Sequence, residues 1–138
     1  MRIALVTLSI ATLCVAGYAL MGIRERRASP TIDVNGGIVF DAGTVRGTQP
    51  VTHTFKIDNP NPFTIGLSTP QAGCTCTTAS VSMWSIPPHG SASVTLKVDP
   101  EDGNLSGSAS IVTTHNGRHV ETELFVTGQV AGKGTASH

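Results

Sequence analysis

Two cysteines two positions apart in the middle of the chain carry the most distinctive chemistry of this sequence. Cys74 and Cys76 lie in the run Gly-Cys-Thr-Cys-Thr at residues 73–77, and the third cysteine, Cys14, belongs to an apolar N-terminal segment. On an extended strand the pair would point to one face, with Cα atoms about 6.5–7 Å apart. Because disulfides favour Cα separations of about 4.4–6.8 Å, a bridge here requires a bent backbone.

The pair allows three kinds of site. Two thiolates on one face can hold a soft ion such as Cu(I) or Zn(II). Structural zinc takes four ligands, so further side chains would have to complete the site, and the candidates are His53, His89, His115, His119 and Met83. The pair can instead exchange with other thiols, although no Cys-x-x-Cys motif at a helix start is present to lower a thiol pKa. The third interpretation is a pair of inert thiols or a local disulfide that pins a loop.

Arrangements of catalytic residues are missing from the sequence. It contains no Gly-x-Ser-x-Gly elbow, no glycine-rich phosphate loop and no His-Glu-x-x-His motif. Three carboxylates cluster at residues 99–103, where they form either a solvated acidic loop or a weak calcium site. The sequence therefore predicts a protein that is not an enzyme.

The charge distribution argues against a nucleic-acid partner. Charged residues make up 13% of the chain, and residues 28–138 carry five basic and eight acidic side chains, a net charge of −3. Phosphate binding needs clustered lysine and arginine, which this region does not have. The abundance of Ser, Thr and Val favours β-sheet over helix.

Residues 1–27 form the predicted membrane anchor or signal segment. Residues 3–23 are 21 positions without a charge, and as a helix they would extend about 31 Å, enough to cross a bilayer core of about 30 Å. One interpretation is an uncleaved single-pass anchor in the bacterial inner membrane. The other is a signal peptide cleaved after Ala19, since Gly17-Tyr18-Ala19 has the small-x-small pattern.

Two arguments about sidedness conflict. Three arginines follow the apolar segment, which by the positive-inside rule favours a cytoplasmic domain. The domain itself is rich in Thr, Ser, Gly and Asn and poor in Lys, a composition that favours export. We expect the domain to lie in the periplasm or outside the cell.

The rest of the chain alternates in the manner of β-strands. Val51, His53, Phe55 and Ile57 alternate with polar residues, which predicts one buried and one wet face. Similar runs separated by turns predict strands within 38–40, 63–68, 75–81, 94–98, 109–113 and 120–126, with a polar loop over 100–107. We predict an all-β, Ig-like antiparallel β-sandwich of about seven strands over residues 38–131. A linker over 28–37 precedes it and a flexible tail over 132–138 follows.

Three stretches resemble one family. Residues 40–59, which begin Phe-Asp-Ala-Gly-Thr-Val, resemble the opening of the bacterial family of domains of unknown function catalogued as number fifteen seventy-three. Residues 73–77 resemble its Cys-x-Cys-Thr motif, and residues 86–99 resemble its closing Pro-Gly turn and strand. The family is related to hydin-type and major-sperm-protein-like Ig folds, and the resemblance covers residues 38–130.

The chain departs from the family pattern at three places. Thr75 stands where glycine is usual, Asn-Pro-Asn-Pro at residues 59–62 replaces an Asn-x-Gly turn, and His89 is inserted before Gly90. The resemblance implies an exported Ig-like sandwich in a bacterial envelope. It implies no reaction, because the family has none assigned.

These observations lead to two functional hypotheses. The first is a membrane-anchored or exported domain that binds or scaffolds a protein partner in the cell envelope, with exposed edge strands available for strand addition. The alternative is copper binding or thiol redox chemistry through Cys74 and Cys76.

Overall fold

The computed structural model describes residues 28–101 and 103–131. The predicted anchor or signal helix and the predicted tail lie outside these residues. Among the residues described, no helix is long and apolar enough to span a membrane.

Ten strands in the described residues form two sheets. The first sheet has the order β1, β3, β8, β6, and these strands are Asp33–Asn35, Val51–Asp58, Ser91–Val98 and Thr77–Val81. The second sheet has the order β2, β10, β9, β4, β7, and these strands are Val39–Val45, Arg118–Val130, Asn104–His115, Ile65–Leu67 and Ser85–Ile86. The short strand β5, Gln71–Ala72, also pairs with β9.

Alternating apolar residues of both sheets build the core, as the sequence predicts. In the first sheet β3 buries Phe55 and Ile57, and β8 buries every second residue from Ala92 to Val98. The second sheet contributes the buried residues Ile65, Leu67, Leu105, Ala109, Ile111, Leu124 and Val126. The predicted all-β sandwich is confirmed for the described residues.

The strand pattern differs from the prediction in three respects. β2 pairs with β10 in parallel, because strand direction depends on how the chain enters the sheet and not on local alternation. β1, β5 and β7 have only two or three residues, too few to show a period of two. β1 falls within the range 28–37 assigned to the linker, where it pairs with β3.

The predicted polar loop over 100–107 is wrong in its second half. β9 begins at Asn104 and buries Leu105 and Gly107. From Ser106 to Ala109, glycine and alanine alternate with serines, so these inward positions carry little apolar character. The start of β9 therefore has the composition of a loop.

The Asn116-Gly117 hairpin is confirmed, with φ of 47° and 77° at the two residues. His115 pairs with Arg118, and His119 pairs with Thr114. Because directly paired residues share a face and neighbours alternate, the two histidines lie on opposite faces of the sheet.

At the end of β3, residues 59–62 end the strand as predicted and also build a buried polar cluster, which we call the Asn59 hub. Asn59 is 1% exposed, and its Nδ2 donates to the carbonyls of Phe63 at 2.9 Å, Ile86 at 3.0 Å and Pro87 at 3.0 Å. Its Oδ1 accepts from the backbone N–H of Asn61 at 2.9 Å and from the Asn61 Nδ2 at 2.7 Å.

The hub also fixes the entry of the chain into the sandwich. Asn61 Nδ2 donates to the Thr31 carbonyl at 2.6 Å, and the Thr31 hydroxyl donates to Asn61 Oδ1 at 3.0 Å. β8 runs from Ser91 beside the hub to Val98 at the other end of the sandwich, so the two ends lie about 23 Å apart.

Candidate functional site

The two cysteines lie at the end of the sandwich opposite the Asn59 hub. Residues 73–77, which we call the disulfide loop, follow β5, and β6 begins only at Thr77. The predicted strand over 75–81 is therefore too long at its start, because the cysteines occupy a turn. The bent backbone brings their Cα atoms to 5.3 Å, and Cys74 and Cys76 form a disulfide.

Backbone hydrogen bonds hold the disulfide loop at both ends. The N–H of Gly73 donates to the Ser108 carbonyl of β9 at 2.8 Å, and the N–H of Asp99 donates to the Cys76 carbonyl at 2.8 Å. Within the loop, the Thr77 N–H donates to the Cys74 carbonyl at 3.3 Å. The loop is thus attached to both sheets independently of the disulfide.

The two sulfurs occupy different environments. Cys74 is exposed, whereas Cys76 retains 9% exposure and Thr77 only 4%. The Thr77 hydroxyl lies 3.3 Å from Cys74 Sγ and 3.6 Å from Cys76 Sγ. Because disulfide sulfurs carry no hydrogen, the hydroxyl is the donor. The buried Thr77 hydroxyl therefore contacts the sulfur of an exposed cysteine, Cys74, and the sulfur of a buried one, Cys76.

Two glycines allow this close packing. A Cβ at Gly107 would meet the Thr77 hydroxyl and the methyls of Val98, and a Cβ at Gly73 would meet the Ser108 hydroxyl. Both contacts would be closer than van der Waals packing permits. Gly107 therefore leaves the space that the Thr77 side chain fills beneath the disulfide.

A surface cleft of about 250 Å³ lies beside Cys76 and is lined by Asp99, Glu101, Asn104 and Ser106. The Ser106 carbonyl is 3.8 Å from Cys76 Sγ. The predicted acidic loop thus contributes two carboxylates to the wall of this cleft.

Metal binding by Cys74 and Cys76 stays a prediction, and it concerns the reduced pair, because the sulfurs are bonded to each other here. Within residues 28–101 and 103–131, no three or more His, Cys, Asp or Glu side chains gather into a group able to hold a metal ion.

His53 faces the core side as predicted, but its contacts are aromatic. Its ring stacks on Phe40 of the other sheet with centroids 3.7 Å apart and meets Phe55 edge-on at 4.7 Å. Burial lowers the pKa of His53 below its ordinary value.

His115 lies at the same end of the sandwich as the Asn59 hub and contacts the residues that follow it. Its ring stacks on Phe63 with centroids 3.7 Å apart, its Nδ1 is 3.1 Å from the Thr64 carbonyl, and its Nε2 is 3.1 Å from Asn116 Nδ2. A neutral ring with hydrogen on Nδ1 satisfies both contacts. These contacts make His115 a structural residue of the hairpin.

Two large apolar side chains lie on the surface, which the sequence did not predict: Met83 is 40% exposed and Trp84 is 61% exposed. They lie where the chain crosses from β6 to β7. The Ser82 N–H donates to Ser93 in the first sheet, and the Trp84 carbonyl accepts from Leu67 in the second. The sequence around residues 83 and 84 has no alternation of apolar and polar residues, so it does not predict their exposure.

Comparison with known families gives one match over most of the domain. Residues 37–130 match the family described as Protein of unknown function (DUF1573). The resemblance drawn from the sequence motifs is confirmed. No curated protein matches this sequence.

Solved structures share the fold. A protein of unknown function from Porphyromonas gingivalis W83 superposes with a TM-score of 0.62 at 16% identity, over 73% of this chain and 47% of that chain. This chain therefore spans about half of that protein. The ASH / PapD-like domain 7 of human CEP192 gives 0.56 at 11% identity, over 76% of this chain and 88% of that chain.

The VesB protease of Vibrio cholerae gives a TM-score of 0.59 at 13% identity, over 81% of this chain but only 35% of that chain. At these identities the similarities establish the Ig-like fold and nothing about activity.

Proposed function

This chain belongs to the DUF1573 family of proteins of unknown function, and we propose that it is a non-enzymatic Ig-like module that binds another protein in the bacterial envelope. The observation that carries the proposal is an open sheet edge at β6 with an exposed tryptophan at its end. The partner contributes an extended segment that adds to this edge.

β6 has unused backbone groups along its outer side. It pairs only with β8 among the described residues. Hydrogen bonds from Asp99 to the Cys76 carbonyl and from Ser82 to Ser93 fix which residues face β8. By alternation, Ala79 and Val81 direct their N–H and C=O groups away from β8. An added strand would bond to these groups.

Met83 and Trp84 supply an apolar anchor next to this edge. Tryptophan is enriched among the residues that dominate protein interfaces, where it fills a pocket of the partner. A tryptophan that keeps 61% of its surface exposed contributes little to the core of the domain itself. Its position at the end of β6 therefore supports recognition of a partner segment by both backbone and side chain.

The membrane location is part of the proposal. It is supported by the uncharged run at residues 3–23. Residue 28 onwards enters the sandwich at the hub end, where Ser29 accepts a hydrogen bond from Arg118 at 3.2 Å and Thr31 contacts Asn61. An anchor at residues 3–23 would thus leave the disulfide end directed away from the bilayer.

The test is quantitative capture of the partner by the full-length chain from detergent-solubilised membranes. We expect Trp84→Ala to weaken binding by roughly 30-fold, the equivalent of a hot-spot loss of about 2 kcal/mol. Val39→Ala, at an exposed apolar position on β2 of the other sheet, is the matched control and should bind as the parent does.

Two proline substitutions on β6 distinguish loss of strand addition from loss of folding. Ala79→Pro removes an outward N–H and leaves the β6–β8 hydrogen bonds in place, so it should preserve folding and abolish binding. Ser80→Pro removes an inward N–H and should destabilise the edge itself. Recovery of no stoichiometric partner, or binding unaffected by both Trp84→Ala and Ala79→Pro, would refute the proposal.

A further inference from the structure

We propose that the Cys74–Cys76 disulfide is a thiol-exchange site with a fixed direction, in which an incoming thiol attacks Cys74 and Cys76 leaves. The substrates are thiols, either small molecules or cysteine side chains of other proteins. This activity is separate from partner binding at β6, since glutathione alone serves as the probe.

The difference in access between the two cysteines sets the direction. Thiol–disulfide exchange requires the attacking thiolate, the attacked sulfur and the leaving sulfur to be in line, so access decides which sulfur is attacked. Cys74 is exposed on the outside of the loop, whereas Cys76 is 9% exposed and packs under it. Attack on Cys74 is therefore open, and attack on Cys76 is obstructed by the body of the sandwich.

Thr77 supports the leaving group. Its hydroxyl is buried and lies within reach of both sulfurs, 3.6 Å from Cys76 Sγ and 3.3 Å from Cys74 Sγ, so it can donate to whichever sulfur leaves, and access alone sets the direction. When Cys76 leaves as a thiolate, the same hydroxyl donates to a full negative charge, and such charge-assisted bonds are stronger than neutral ones. Thr77 is thus a positioning residue for the exchange.

The exchange proceeds in two displacements at sulfur. A glutathione thiolate forms a bond to Cys74 Sγ, the Cys74–Cys76 bond breaks, and the electron pair leaves on Cys76 Sγ. A second glutathione thiolate then attacks the glutathione sulfur of the mixed disulfide and releases the Cys74 thiolate. Two glutathione molecules are oxidised to one glutathione disulfide, and the protein disulfide gains two electrons.

The loop is built so that exchange does not require unfolding. Gly73 is bonded to Ser108 and Asp99 to Cys76 through the backbone, so reduction leaves both ends of the loop attached. The disulfide spans a sequence separation of only 2, and by chain entropy a loop this short contributes about half of the stability that a 15-residue loop gives. The bond is therefore a minor contributor to the fold.

The direct test maps the mixed disulfide. The full-length chain in detergent, purified without reductant, is treated with reduced glutathione, stopped with acid, unfolded and alkylated with N-ethylmaleimide, and the peptide holding both cysteines is fragmented. We expect glutathione on Cys74 and maleimide on Cys76, with an excess over the reverse pattern of at least roughly tenfold because access governs the rate. Equal or reversed labelling would overturn the proposal.

The role of Thr77 is tested by substitution and rescue. Thr77→Val removes the hydroxyl and keeps the shape, so we expect exchange with glutathione to slow by roughly tenfold, the equivalent of losing about 1.4 kcal/mol. Thr77→Ser should restore the rate. The control is Thr113→Val, which removes another buried hydroxyl, one that donates to the Val120 carbonyl at 3.2 Å, and it should leave the rate unchanged.

Two single-cysteine substitutions test the direction of exchange independently of the Thr77 variants, so the result does not depend on the folding of one variant. Cys76→Ser should form a stable adduct with glutathione disulfide at Cys74, because the neighbouring thiol that would expel glutathione has been removed. Cys74→Ser should react far more slowly at the covered Cys76. A parent chain whose disulfide resists glutathione until the domain unfolds would contradict the proposal, whatever the variants do.

Discussion

The two ends of the sandwich show how the same kind of sequence, a short polar connection between strands, serves two purposes. At the Asn59 hub, the side chains of Asn59 and Asn61 direct all their hydrogen bonds inward to the chain. At the disulfide loop, Thr77 is equally buried, but its hydroxyl contacts a bond that has one exposed side. The hub is closed to other molecules, and the loop is open on the side of Cys74.

This difference separates residues that hold the fold from residues that carry chemistry. A buried amide that donates to the Ile86 carbonyl and accepts from the Asn61 N–H costs much to remove, because these buried groups would lose a partner. A short disulfide closes little chain and contributes little stability. The hub should therefore dominate the free energy of unfolding, and the loop should dominate reactivity.

Removing the hub amide is expected to have the largest effect. Asn59→Ala removes the side-chain donor to the Ile86 carbonyl and the acceptor of the Asn61 N–H, both in buried hydrogen bonds, whereas the Pro87 carbonyl keeps the Gly90 N–H. We expect the free energy of unfolding to fall by about 3 kcal/mol, measured by urea denaturation of the full-length chain. The rate of exchange with glutathione in the folded protein should stay at the parental value. A loss below about 1 kcal/mol would remove the contrast between the two ends.

Filling the space under the loop should have the next largest effect. Gly107→Ala forces a methyl against the Thr77 hydroxyl and Val98, so we expect a loss of about 2 kcal/mol from overpacking together with slower exchange. Gly66→Ala is the comparison, because its methyl would meet mainly the Thr114 hydroxyl, which can rotate away. Equal losses for the two variants would contradict the packing argument.

Reduction of the disulfide should change stability less. Because the cysteines are separated by only 2 positions, opening the bond should lower the free energy of unfolding by roughly 1.5 kcal/mol. Urea denaturation with and without dithiothreitol measures this change. A loss as large as that of Asn59→Ala would mean that the loop, and not the hub, holds the fold.

The smallest expected effect is a pH dependence at the hub end. The Ser91 hydroxyl donates to Asp58, and this hydrogen bond, with a lesser contribution from Lys56, lowers the pKa of Asp58. The bond therefore stabilises the fold above the unfolded pKa of about 3.9, and that stabilisation is lost as the pH falls through the folded pKa.

A variant isolates this contribution from the other carboxylates. The difference in unfolding free energy between parent and Ser91→Ala should shrink on acidification. Thr95→Ala removes a hydroxyl that is hydrogen-bonded to the Thr54 hydroxyl at 3.0 Å, and its difference from the parent should not change with pH. A Ser91→Ala difference that is constant down to about pH 2 would exclude the Asp58 hydrogen bond as its cause.

The sequence predicted the features that repeat along the chain. The period of two at Val51–Ile57 identified a half-buried strand, and Asn116-Gly117 identified the hairpin, because each depends on local chemistry alone. The period also places Asn59 on the same face as Phe55 and Ile57, which was the available signal for the hub. Asparagine next to proline also predicts a turn, so the period alone does not identify the hub.

The rest depended on contacts between distant residues. Thr77 lies under the disulfide because Gly107, thirty positions later, has no side chain. The exposure of Trp84 follows from the crossing between the sheets, and the parallel pairing of β2 with β10 follows from the order of strands. None of these contacts appears in a local pattern, so the pair Cys74 and Cys76 was identified from sequence but its asymmetry was not.

The most direct test of the contrast between the two ends is hydrogen–deuterium exchange of the full-length chain in detergent, oxidised and then reduced with dithiothreitol. We predict that reduction raises exchange within residues 74–77, while the amide of Asn61, which donates to Asn59 Oδ1, keeps its protection. Loss of protection at Asn61 on reduction would contradict the account, because the disulfide would then be part of what holds the hub.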